Sequence, residues 1–381
     1  MHRCAGISGR FYLLIVGICA VAGHARGGAG DLWSIGVHSG GNQSEAFGVN
    51  ASGVVVGYSS GADGASAVLF SGGTSTFLAP IRYTEGHNIN NLGTIVGTAT
   101  PISTSTYKGF VRTADGTVYD AGILPQGGQT VLKAVNDSGI AVGSGYAKQG
   151  SGVAKHAVLY DGTLHDLGTL LGGSFSYADD VNASGVIVGT AQDGNNRTKA
   201  FRYQNGSVQE LGLASPSASA FAEATGINDA GLTVGYGTAA TGFVRALLFD
   251  ASGAATPLTL LNGQSSSRAF DVNGLGAIVG NHGGDRATLW TPAGTPIDLD
   301  AWLDQVNPAA GALWNLRQAT AINDGGIIVG TGTHFESAQL GFLTRGFVLD
   351  ASSLVPEPLL AALLAPLFLL RRARRARSAI R

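Results

Sequence analysis

One arrangement of apolar and polar positions recurs along most of this chain. It reads: a small residue, a gap of two, Ile or Val, Asn, two residues, Gly, two residues, Val, Gly. Its clearest copy runs Ala178-Asp179-Asp180-Val181-Asn182-Ala183-Ser184-Gly185-Val186-Ile187-Val188-Gly189. Further copies surround Asn50, Asn90, Asn136, Asn228, Asn273 and Asn323, making seven; only the third departs at the small position, with Leu132. The β-branched residues flanking Asn-x-x-Gly predict two strands with a buried face. Asn can bond its own backbone two residues on, and Gly supplies φ > 0, so the connection is a type I turn closed by a Gly bulge. The rival reading, a ring of polar ligands around a channel, is not needed to explain any of the seven asparagines.

Between one hairpin and the next lie two more strand-like segments. In the fourth unit they are residues 199–203 and 208–211, joined across Asn205-Gly206; in the third, residues 156–160 and 164–167, joined across Asp161-Gly162. The asparagines are spaced by 40, 46, 46, 46, 45 and 50 residues, the period of a propeller blade rather than of a helical or leucine-rich solenoid. Four short strands per unit predict an all-β fold, a seven-bladed β-propeller over residues 31–350. One lone strand, residues 31–35, precedes the first hairpin, and only residues 346–349 follow the seventh. Pairing these two would close the ring in the last blade, with the first segment outermost and Trp33 beside Phe347. Closure removes two exposed edges, whereas an open array would need polar capping units. Two insertions break the period. The Thr/Ser-rich residues 98–107 predict a loop. Residues 300–306, ended by Asn307-Pro308, predict a short amphipathic helix whose Trp302 and Leu303 pack on the neighbouring blade.

Charge changes the picture more than its total of −2 suggests. Of 23 basic residues, six follow Leu370 and two (Arg3, Arg10) precede the body, leaving 15 against 25 acids. A body this acidic argues against nucleic acid or an anionic membrane surface as partner. Both cysteines, Cys4 and Cys19, lie in the first 25 residues, so the body has no disulfide framework and no thiolate chemistry.

The two ends carry addresses. Residues 1–25 combine a short basic start, an apolar run over residues 11–22 and small residues offering cleavage after Ala22 or Ala25. This is the build of a Sec-type signal peptide, too short to span a bilayer comfortably. Ile18 stands where a lipoprotein signal before Cys19 needs a small residue. At the other end, residues 355–381, Val355-Pro356-Glu357-Pro358 precedes an uncharged run over residues 359–370 and the basic cluster Arg371, Arg372, Arg374, Arg375 and Arg377. A rigid motif, a short apolar helix and a cytoplasmic Arg cluster make a sorting tail. The arrangement resembles the PEP-CTERM signal of Gram-negative bacteria that make exopolysaccharide. That resemblance implies processing near Pro-Glu-Pro by an exosortase-type membrane transpeptidase, transient inner-membrane association, and release to the surface or matrix. The apolar run has 12 residues and contains Pro366, which suits a transient stop better than a permanent anchor. A plain C-terminal anchor is the alternative.

The body carries a second resemblance. His156-Ala157-Val158-Leu159-Tyr160, with residues 166–174 and then Val181-Asn182, is similar to the extracellular HAF repeat. Only the third unit keeps His; elsewhere Ser66, Lys108, Lys199, Arg245, Arg286 and Arg345 precede the small residue. HAF proteins often carry PEP-CTERM tails, so the two resemblances agree. This family brings no catalytic residues that can be carried over.

Candidate chemistry is sparse. Gly57-Tyr58-Ser59-Ser60-Gly61 matches the string of a nucleophile elbow, yet that elbow needs a helix after the turn and another strand follows here. The body's histidines, His38, His87, His156, His165, His282 and His334, share no metal-ligand spacing, and no cofactor motif is present. Asp179-Asp180 is the one adjacent carboxylate pair, read either as a wall of a cation or sugar site or as a solvated pair at a strand start. Asp193 and Asp285 suit weak Ca²⁺ binding, but turn roles suffice. The near-uniform repeats favour a non-enzymatic propeller binding exopolysaccharide or matrix protein. The alternative is a polysaccharide hydrolase or lyase acting at the central channel, which an asymmetric cluster of carboxylates or His there would indicate.

Overall fold

The computed structural model describes residues 28–62, 64–78, 83–100, 106–217 and 219–355. The leader with Ala22 and Ala25, and the tail from Pro356 onward, lie outside them. Five four-stranded antiparallel sheets and one eight-stranded sheet make up the molecule. The eight-stranded sheet consists of the third and fourth repeats, joined where Lys155 meets Phe175 in parallel. Each repeat is a meander; the fourth runs Gly172–Val181, Ile187–Asp193, Thr198–Gln204, Ser207–Glu210. The chain is therefore all-β, with little helix.

The motif's residues explain the first hairpin of every repeat. In the fourth, Asn182 Oδ1 accepts the N–H groups of Ser184 (3.1 Å) and Val186 (3.0 Å), and Gly185 sits at φ +74°. The Gly that ends the motif has a different role. Each first strand carries a bulge between the small position and the residue two before Asn, as at Ala178/Asp180. The bulge drives the backbone into the partner strand: a Cβ on Gly189 would lie 2.0 Å from the carbonyl oxygen of Tyr177. The matching contact in the other repeats is 1.9–2.0 Å. Only Gly fits there.

Asparagine also reaches beyond its own repeat. Asn50 Nδ2 donates to the carbonyl of Asn90, which donates to Asn136, then Asn182, Asn228, Asn273 and Asn323, whose Nδ2 donates back to the carbonyl of Asn50 at 2.9 Å. All seven side chains are buried. The apolar clusters follow the same order. One joins Ala134, Val142 and Ala157 of the third repeat to Ala178, Val181, Ile187 and Phe201 of the fourth. Another joins Ala321, Val329 and Val348 of the seventh to Ala46, Val55, Val68 and Phe70 of the first. Full burial of a side chain such as Phe201 stabilises by about 2–3 kcal/mol, so the contacts between repeats carry the core.

The first strand, Leu32–Ser34, lies antiparallel on Gly341–Asp350 at the outer edge of the last sheet. Its register sets Leu32 opposite Leu349, Trp33 opposite Val348 and Ser34 opposite Phe347. Trp33 thus faces Val348 rather than Phe347. Ile35 follows the strand, fully buried, and donates its N–H to Gly346. The insertion expected as a loop over residues 98–107 begins inside a strand, Ile95–Thr100, because three more residues pair with the neighbouring strand before the chain leaves it. Helix α1, Leu299–Val306, is capped by Asp298 and buries Leu299 and Leu303 in the cluster between the sixth and seventh repeats. Trp302 packs on the same cluster, and a single-turn helix, α2, Pro308–Gly311, follows.

Candidate functional site

The first strands of successive repeats touch one another in order, and the first strand of the seventh, Trp314–Ile322, touches that of the first, Ser44–Val49. Their free faces therefore adjoin one another from repeat to repeat. In each of them the bulge inserts one extra residue: Phe47, His87, Lys133, Asp179, Thr225, Phe270 and Thr320. Bulges re-aim side chains. Two residues earlier stand Glu45, Glu85, Val131, Tyr177, Glu223, Arg268 and Gln318. The scaffold positions of the repeat are near-uniform, whereas these two positions carry a different pair of residues in each repeat.

The side chains meet across repeats. The Glu45 carboxylate accepts from the Tyr58 hydroxyl at 3.3 Å, and Gln43 donates to that hydroxyl in turn. Phe47 stacks on Tyr58, with ring centroids 5.8 Å apart, and meets His87 edge-on at 6.1 Å. His87 Nδ1 lies 2.7 Å from the carbonyl of Leu132 and must be the protonated nitrogen there, because a carbonyl only accepts. Its Nε2 faces the Glu85 carboxylate at 3.4 Å. A hydrogen bond at that contact needs one more proton, on the imidazole or on the carboxyl. Glu45 and Glu85 consequently sit in opposite surroundings. Burial raises the Glu45 carboxyl above its ordinary range against the lowering effect of Tyr58, with the charge of Glu85 adding to the rise. The bond from His87, with the charges of His87 and Lys133, holds Glu85 below its range despite burial.

A second group comes from the third to sixth repeats. Lys155 Nζ lies over the rings of Tyr177 (4.8 Å) and Tyr146 (5.8 Å), and Arg268 over Tyr236 (5.3 Å). Tyr236 donates to Glu223 at 2.5 Å, and Phe221 and Phe270 meet its ring edge-on. Asp179 is enclosed among these groups; burial and Glu223 push its carboxyl up to about 6 while Lys133 and Lys155 oppose the rise. Asp179 keeps partial contact with solvent.

The sequence-flagged residues separate clearly. Asp179-Asp180 lies inside a strand at a bulge and not at a solvated strand start. Asp180 turns to the backbone, where its two oxygens accept the N–H groups of Val181 (2.8 Å) and Ile227 (2.8 Å). Asp271 does the same with Val272 and Ile322. Burial and Asp271 push Asp180 up to about 8, and burial pushes Asp271 up to about 6. Ser59 of the elbow-like string is buried within a strand, Val55–Gly61, with its oxygen bonded to the N–H of His38. His156 pairs with Asp166 at 2.8 Å across its third and fourth strands. Lys108 with Asp120, Lys199 with Glu210 and Arg286 with Asp298 make the same link in their repeats, so in these four repeats the position of His156 pins the outermost strand. Asp193 bonds the amides of Asn195 and Arg197, a turn role. Of the sorting motif only Val355 is described. It is buried against the cluster of the last sheet.

No protein-family model and no curated protein matches the chain. Among solved structures it is similar to an acylaminoacyl peptidase of Pyrococcus horikoshii, at 10% identity and a TM-score of 0.44, over 76% of this chain and 50% of that one. A puromycin-hydrolyzing peptidase of Mycobacterium tuberculosis gives 13% identity and 0.44, over 76% and 49%. The chain thus spans about half the length of these two. A gluconolactonase of Xanthomonas campestris gives 10% identity and 0.37, over 84% of this chain and 89% of that one.

Glu45, Glu85, Phe47, Tyr58, Glu223 and Tyr236 escaped sequence reading. Phe47 stands in the variable gap before Val-Asn, the three glutamates directly before the small residue, and the two tyrosines directly after the motif's last Gly, positions whose chemistry changes from copy to copy.

Proposed function

We propose that the chain is an exported, closed seven-bladed β-propeller that binds an extracellular polysaccharide at one mouth of its axis. The circuit of asparagine bonds, the apolar cluster shared by the seventh and first repeats, and the pairing of Leu32–Ser34 support the closed ring. One observation carries the binding. Aromatic rings and carboxylates from different repeats converge on the axis, where Phe47, Tyr58, Tyr177, Tyr236 and Phe270 offer flat apolar faces beside Glu45, Glu85 and Glu223. Sugar rings present an apolar face to stack and hydroxyls that donate to carboxylates, so the chemistry is complementary.

The ends give this binding an orientation. Gly30 bonds Asp350, and Ala351 bonds Gly326 in the last Asn-x-x-Gly turn, so both ends of the described body leave from the turn side. Glu45, Glu85 and Glu223 stand five residues before their asparagines, about 16 Å along an extended strand. A body sorted through Val355, Pro356, Glu357 and Pro358 would therefore present its ligand face away from the inner membrane. In this reading the leader is removed after Ala22 or Ala25, and the exosortase-type enzyme acts while Arg371, Arg372, Arg374, Arg375 and Arg377 hold the tail on the cytoplasmic side. The excess of acids in the body supports a glycan or matrix partner over nucleic acid.

Electrophoresis of the purified protein through gels containing xylan, polygalacturonate, chitosan oligomers or a mixed-linkage glucan tests the binding. Retardation by at least one polymer is expected. Unchanged mobility in all of them, and in the producer's own exopolysaccharide, contradicts it.

A further inference from the structure

The arc Glu45–Tyr58–Phe47–His87–Glu85 does more than bind. Its members come from two neighbouring repeats and touch in sequence, with the Phe47 ring in contact with both Tyr58 and His87. Each carboxylate thus has its own polar partner, and the two partners flank one aromatic platform. The partners differ in kind. Tyr58 is a neutral donor, itself held by Gln43, and among the described residues no cationic side chain bonds Glu45. Glu85 faces an imidazole whose other nitrogen is committed to a backbone carbonyl.

We propose that Glu45 and Glu85 are the acid and base of a glycoside-hydrolysing site, cutting a polysaccharide whose sugar ring stacks on Phe47. This rests on the polysaccharide-binding reading and adds a reaction to it. Glu45, whose carboxyl burial raises above its ordinary range, gives its proton to the glycosidic oxygen as the bond from that oxygen to the anomeric carbon breaks. Glu85, whose carboxyl the bond from His87 holds below its ordinary range, takes a proton from water, and the water oxygen bonds to the anomeric carbon. One water is consumed, one reducing end and one alcohol are formed, and no oxidant or metal takes part. The carboxyls finish with exchanged protonation and reset through solvent. Surroundings that push two carboxyls apart in this way define acid and base roles. His87 is a positioning residue, because it acts on Glu85 and not on the substrate.

The test incubates the secreted protein with the four polymers and counts reducing ends, while gel retardation reads binding separately on the same wild-type samples. Cleavage of a retarded polymer is expected, with a bell-shaped pH profile. Glu45→Gln should remove the alkaline limb, and Glu85→Gln the acidic limb, each lowering the rate at least 100-fold, the ordinary scale of general acid–base catalysis. Added formate should restore part of the Glu85→Gln rate, because a small anion can occupy the place of the lost carboxylate; a merely structural role would not respond. Retardation without new reducing ends, or cleavage untouched by both substitutions, overturns the hydrolysis and leaves the binding standing. No retardation by any polymer overturns both.

Discussion

At the scale of single residues the two glycines of the motif are not equivalent. Gly185 has room for a methyl group but sits at φ +74°, where a Cβ costs about 1–2 kcal/mol. Gly189 has no such φ, yet its Cβ would meet a carbonyl oxygen at 2.0 Å. Gly189→Ala is therefore expected to destabilise by about 3 kcal/mol or more, as overpacking against backbone does, and Gly185→Ala by less. Urea midpoints of the two variants check the order. Asn182→Ala removes two accepted bonds and the donor to Asn228, with an expected loss of about 2–4 kcal/mol for three buried interactions. The paired carboxyls add a pH dependence. Asp180 at about 8, with Asp271 and Asp179 at about 6, are all raised above the unfolded value of 3.8. The folded protein then holds protons that the unfolded chain has released. Their contribution is fully present below about pH 4 and is lost as pH rises through 6 and then 8. Urea titrations from pH 4 to 8 should show stability falling, and Asp180→Asn should flatten the upper part of that fall.

At the scale of elements, the terminal strand is the feature most easily challenged. Leu32 and Leu349 are directly opposed on paired strands, a separation that suits a disulfide. Replacing both with Cys should give a crosslink within one monomer, seen as faster migration on a non-reducing gel at unchanged mass. Dimers alone would contradict the pairing. The lone strand at one end of the chain and the short count at the other were legible in the sequence, because edges left unpaired are costly. The register was not. It slips Trp33 by one residue because Ile35, beyond the strand, fixes the alignment through Gly346. The axial site was less legible still. Turn chemistry accounted for each Asn alone, so the donor from its Nδ2 to the next repeat left no trace in the pattern. The bulge, which inserts Phe47 and His87 as extra residues, is recorded only by a glycine seven residues after Asn.

At the scale of the whole molecule, the proposed export implies that both ends are cut. Intact mass of the secreted protein should begin at Gly23 or Arg26 and lack residues 371–381; a mass that retains them would favour a plain anchor. No helix among the described residues is long and apolar enough to cross a membrane, and the run over residues 359–370 lies outside them. The central claim is that recognition happens at the axis and not on the outer strands. It is tested most directly by the affinity for a retarded polymer of two variants, Phe47→Ala on the axis and Val118→Ala on an exposed outermost strand. A binding loss of about tenfold, near 1.4 kcal/mol, is expected for Phe47→Ala, with Val118→Ala matching the wild type. Equal affinity for all three proteins, or a loss confined to Val118→Ala, would contradict it.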